Sequence, residues 1–99
     1  MPDETQLENA AGRGVRAERL LADELLAEAF KALEDAYTVA WRRTTIDDAA
    51  AREKLFLAVN IVGKVRDHLA AIVNNGKLAQ AELKQLAETA ERKKRFGIL

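Results

Sequence analysis

Residues 47–76, DDAAAREKLFLAVNIVGKVRDHLAAIVNNG, constrain the fold more than any other stretch. Ala51, Leu55, Ala58, Val62, Val65, Leu69 and Ile72 recur at alternating spacings of four and three, the heptad seam of a packed helix. Asp47 and Asp48 stand where side-chain oxygens can accept from the first unpaired amides. Asn74-Asn75-Gly76 stands where a left-handed residue ends a helix at least cost. The spacing therefore predicts a helix over 48–75.

The flanking segments carry the same periodicity. Leu26, Phe30, Leu33, Tyr37 and Ala40–Trp41 form one apolar stripe, widened by Leu21, Leu25, Ala29, Ala32 and Ala36, which predicts a long helix over 15–43. Asp23-Glu24 can mark a kink or restart within it, because Asp caps well and sits poorly in a helix interior. Thr44-Thr45-Ile46 is too short for anything but a tight connection, with Ile46 able to staple back onto the next helix. Ala79, Leu83, Leu86 and Ala90 predict a third helix over 77–95. The expected fold class is all-α: a long antiparallel helical hairpin of 15–43 and 48–75 plus the third helix, in a homo-oligomer. Residues 1–14 read as an N-terminal arm, flexible or forming a short helix capped by Asp3, with Gly12-Arg13-Gly14 as a hinge. Residues 15–99 read as a single helical domain.

Composition narrows the function classes. The 99 residues include 19 Ala, no Cys and no Ser, with aromatics at 5%. Many alanines and few aromatics favour close-packed helices over a deep pocket. Thiolate metal sites, disulfides and Ser or Cys nucleophiles are excluded outright. His68 is the lone histidine and no Glu-x-x-His is present, so the helical di-metal motif is missing. The acidic pairs Asp23-Glu24, Glu34-Asp35 and Asp47-Asp48 are adjacent in sequence and splay apart on a helix, as caps or a solvated face do. No cofactor or metal is expected, and the protein reads as no enzyme. No run approaches the roughly 18 apolar residues of a membrane span. The acidic start Met1-Pro2-Asp3-Glu4 lacks the apolar core of a signal peptide.

Charge and apolar excess point to partners. Residues 1–48 carry 6 Lys/Arg against 11 Asp/Glu, and residues 49–99 carry 10 against 5, so neighbouring helices of opposite charge would attract. In LFLAVNIVGKV only Asn60, Gly63 and Lys64 break the apolar run. Phe56, Leu57, Val59 and Ile61 lie off the seam, so this segment needs a second neighbour, either the third helix or a second chain. Leu55, Ala58, Val62, Val65, Leu69 and Ile72 form the core or oligomer seam; Phe56, Leu57, Ile61 and Trp41 form the candidate partner surface. Trp41 either packs against Leu55 or anchors a partner. Gly63 costs a helix about 1 kcal/mol relative to Ala, which a close helix approach would justify. Arg92, Lys93, Lys94 and Arg95 compensate the dipole of a helix end, or contact nucleic acid weakly.

The run LLADELLAEAFKALEDAYTVAWRRTTIDDAAAREKLFLAVNIVGKVRDHLAAIVNNGKLAQAEL resembles small proteins of undefined function encoded in tailed-bacteriophage and prophage gene clusters. The resemblance rests on a Leu-Leu pair, Glu28-Ala29-Phe30, Trp41, the Asp-rich turn with Arg52-Glu53, and Gly76-Lys77-Leu78-Ala79, over residues 20–83. Those relatives have Pro after the Asp of the first helix where this chain has Glu24, so their break at Asp23 is not carried over. The resemblance implies a phage context, a helical hairpin and no site. The expected role is a non-enzymatic assembly or structural protein in head assembly or DNA packaging. By analogy it would act as small terminase subunits do, though the chain has no room for their separate helix-turn-helix. It would act in the host bacterial cytoplasm or with the virion. Two alternatives stand beside it: a binder that modulates a host protein through the acidic first helix, as an inhibitor or anti-defence factor, and a weak DNA-binding regulator using Arg92–Arg95 with Arg13, Arg16 and Arg19.

Overall fold

The structure is a computed structural model and describes residues 3–97. Met1 and Pro2, the start of the expected arm, lie outside the described residues. Three helices account for nearly all of the rest: α1 (Glu4–Ala22), α2 (Glu24–Arg42) and α3 (Ala49–Arg95). No strand occurs among the described residues. The contacts divide into two compact units. One joins the described residues up to Glu18 with those from Ala71 onward; the other is Arg19–Ala70.

The first unit overturns two expectations. The arm takes up the Asp3-capped helix starting at Glu4, but that helix runs on to Ala22 with no hinge at Gly12-Arg13-Gly14. Asp3 and Gln6 explain its start. The Gln6 amide donates to Asp3 Oδ1 at 2.8 Å and the Asp3 amide donates to Gln6 Oε1 at 3.1 Å, a reciprocal capping box. Nor does a helix end at Gly76. α3 runs unbroken through Asn74-Asn75-Gly76, so no separate third helix exists, and the only positive φ among the described residues is at Gly97. Gly76 is needed for space. A Cβ on it would stand 2.6 Å from Gly14 Cα and 3.0 Å from the Ala10 carbonyl oxygen, and a Cβ on Gly14 would stand 2.7 Å from Gly76 Cα. The two backbones touch where the helices cross. Leu7, Gly14 and Ala17 of α1 and Gly76 and Ala79 of α3 are the buried positions. They belong to stripes with heptad spacing, Leu7-Ala10-Gly14-Ala17 and Ile72-Gly76-Ala79-Leu83. Beyond Leu83 every described residue of α3 is exposed.

The second unit pairs α2 with the first part of α3. The expected 15–43 helix is two helices, because Asp23 leaves helical geometry (φ −70°, ψ 122°) and its Oδ1 accepts from the Leu26 amide at 2.9 Å. Proline is not required for this break; a carboxylate that bonds the backbone outside the helix suffices. At the other end of α2 the Thr44 hydroxyl donates to the Trp41 carbonyl at 2.6 Å and accepts from Arg52 at 3.0 Å. Asp48 caps α3 loosely, taking the Ala51 amide at 3.4 Å. Ile46 is almost fully exposed and does not staple. The Arg52 guanidinium lies 4.8 Å over the Trp41 ring. That of Arg66 lies 5.1 Å over Phe30 and forms an ion pair with Glu34, Nη1 to Oε1 at 2.9 Å.

These contacts shift the expected seam. Arg52, Leu55, Val59, Val62, Arg66 and Leu69 are all half-buried at spacings of three and four, and Val65 is 47% exposed. Val65 leaves the seam because Arg66, one residue on, takes the inward position and spends its charge on Glu34. The pairing also redistributes charge. The first unit's segments, residues 1–18 and 71–99, hold eight Lys/Arg and seven Asp/Glu, and residues 19–70 hold eight and nine. The opposed charges of the two sequence halves therefore nearly cancel within each unit.

Candidate interaction surfaces

No residue of Arg19–Ala70 is buried. This is the most telling property of the second unit, since a folded domain normally encloses side chains that touch many others. Several of its large apolar residues face outward instead. Phe56 and Ile61 are each 60% exposed, and Leu57, Leu33, Val39, Leu25 and Trp41 are exposed as well. The four expected partner-surface residues are thus all accessible. Of the expected seam, Leu55, Ala58, Val62, Leu69 and Ile72 are half-buried and only Val65 is exposed. Gly63 is not explained by a close approach within the chain, because a Cβ there would meet nothing within 4 Å. Thr38, Trp41, Phe56 and Val59 border an apolar notch of about 280 Å³. Trp41 therefore stacks under Arg52 and stays 38% exposed beside that notch.

The polar side chains do not converge on a chemical centre. Among the described residues no group of three or more His, Asp or Glu could hold a metal ion. His68 is exposed. Lys31 is held above its ordinary pKa by its hydrogen bond to Asp35 at 2.9 Å and by that carboxylate's charge, an exposed i,i+4 pair. Arg92, Lys93, Lys94 and Arg95 are exposed at the end of α3, where Arg92 and Arg95 share a shallow hollow with Glu88, Glu91 and Phe96. Those carboxylates weaken the local positive potential. The N-terminal arginines do not reinforce it. Gly14 packs at Gly76, sixteen residues before Arg92, so Arg13 and Arg16 stand about 24 Å away along α3. No described helix is long and apolar enough to cross a membrane.

Arg52 and Arg66 are the residues that sequence reasoning missed. Both are basic and look solvated, yet they lie two heptads apart and in register with Leu55, Val59 and Val62. That register was readable once the stripe was allowed to include cations able to stack on Trp41 and Phe30.

No protein-family model, curated protein or solved structure matches the chain.

Proposed function

We propose that this chain is a non-enzymatic helical assembly protein that completes its core by binding another copy of itself. The observation that carries this is the absence of any buried residue from Arg19–Ala70, beside exposed Phe56, Leu57, Ile61 and Val65. In this reading α2 and the first half of α3 form an antiparallel hairpin. The contact pairs support that arrangement: Trp41 meets Arg52 and Glu34 meets Arg66, so one number falls as the other rises. A two-helix unit cannot enclose both apolar sides of its helices, and a second hairpin can. The resemblance to phage and prophage proteins directs the role toward head assembly or DNA packaging in a bacterial host. A docking protein for a host partner is the second reading, favoured by the open notch beside Trp41.

Linkage supplies the test. When folding and association are coupled, the melting temperature rises with protein concentration. Thermal unfolding followed by circular dichroism should shift upward by several degrees between sub-micromolar and hundred-micromolar protein. A midpoint independent of concentration across that range contradicts self-assembly.

A further inference from the structure

We propose that Asn75 is a site of covalent modification, losing its side-chain amide to attack by the Gly76 backbone nitrogen, and that the packing of α1 on α3 decides when the reaction proceeds. Asn75 is the one asparagine of the chain that precedes a glycine; Asn9, Asn60 and Asn74 precede Ala10, Ile61 and Asn75. The order matters because glycine, lacking a Cβ, leaves its nitrogen unhindered toward the side-chain Cγ before it. Packing fixes the glycine. A Cβ at 76 would stand 2.6 Å from Gly14 Cα and 3.0 Å from the Ala10 carbonyl oxygen, so no larger residue follows Asn75 while the crossing is kept. The asparagine answers to no such need. It is exposed, and asparagine is a poor residue for a helix interior. The segment that reads locally as a helix stop is therefore a reactive pair held inside a helix.

The chemistry needs only water. The Gly76 amide gives its proton to water, and the nitrogen bonds to Asn75 Cγ. The Cγ–Nδ2 bond breaks and ammonia leaves, taking a proton back from water. Water then opens the cyclic imide, either at Cγ to give aspartate or at the Asn75 main-chain carbonyl to give isoaspartate. The net change is one water consumed and one ammonia released, with no oxidation. Helical backbone blocks the first step twice. The Gly76 N–H donates to the Ile72 carbonyl, as an interior helical amide does four residues back. Asn75 must also rotate its ψ out of the helical range to bring Cγ to that nitrogen. Both require α3 to open around residue 76, where Gly76 is buried against Gly14. α3 opens there only by giving up its crossing with α1. Isoaspartate then adds a carbon to the main chain of α3 and a negative charge beside the crossing, so a chain that has reacted does not restore the contact. The pair keeps a one-way record of each separation of α1 from α3, whether or not the chain self-assembles.

Peptide mass spectrometry that separates asparagine, aspartate and isoaspartate at position 75 tests this on the full chain in mildly alkaline buffer. The folded parent should convert roughly tenfold or more slowly than the same chain in guanidinium, where residue 75 is released from the helix. Gly14→Ala alters neither reacting residue, yet it should speed conversion several-fold, because the added carbon meets Gly76 Cα at 2.7 Å and forces the crossing apart. Gly12→Ala, whose added carbon meets nothing within 4 Å, should leave the rate unchanged. Circular dichroism reports whether each variant keeps its helix content. If Gly14→Ala loses it, Leu7→Ala, which weakens the same packing further along α1, takes its place. Equal rates for the folded and the denatured parent would overturn the protection. A folded Gly14→Ala or Leu7→Ala protein that converts no faster than the parent would overturn the control by α1.

Discussion

Gly76→Ala destabilises this protein, and Gly12→Ala does not. Helix propensity alone predicts a gain of about 1 kcal/mol at both sites, since Ala exceeds Gly by that amount in a helix interior. At Gly12 nothing lies within 4 Å of an added Cβ, so the gain is realised. At Gly76 the added carbon meets backbone on two sides, Gly14 Cα at 2.6 Å and the Ala10 carbonyl at 3.0 Å. Backbone cannot rotate away as a side chain can, so α1 and α3 must separate and lose contact along the crossing. Overpacking of this kind costs about 1–3 kcal/mol, which exceeds the propensity gain. Gly14→Ala should behave as Gly76→Ala does, because the contact is mutual. Circular dichroism melts check the sign: the midpoint should fall by several degrees for Gly76→Ala and hold or rise for Gly12→Ala. A Gly76→Ala protein as stable as the parent would mean the helices do not touch there.

Leu7→Ala should cost more, about 2–4 kcal/mol. Leu7 is 4% exposed and is the one large side chain among the three buried apolar residues, the others being Ala17 and Ala79. With so few buried groups, no neighbour can collapse into the space it leaves. Denaturant titration would show the loss as a lower midpoint with little change in slope. An effect below about 0.5 kcal/mol, the level expected of surface substitutions, would show that the N-terminal turns of α1 do not pack on α3.

Helix content was legible in the sequence because apolar spacing is a local property. Helix ends were legible only where a side chain acts on nearby backbone. Asp23 signals its break through a carboxylate that reaches Leu26, and Asp3 and Gln6 signal the start of α1. Gly76 misleads because glycine serves two purposes. Seen locally, Asn74-Asn75-Gly76 reads as a stop; in the fold it permits contact with Gly14, more than sixty residues earlier in the chain. Only the matching small-residue stripe in α1, Ala10-Gly14-Ala17, could have disclosed that. The exposed apolar face was readable at Phe56, Leu57 and Ile61 because the apolar run exceeds what one neighbour can cover. The inward arginines were not, since cation stacking on Trp41 and Phe30 leaves no mark in apolar periodicity.

Sedimentation equilibrium or light scattering at micromolar concentration tests the central claim most directly. The account predicts a particle of at least twice the chain mass of 11.0 kDa, dissociating only on strong dilution. A stable 11.0 kDa particle at every concentration, with helix content intact, would contradict it.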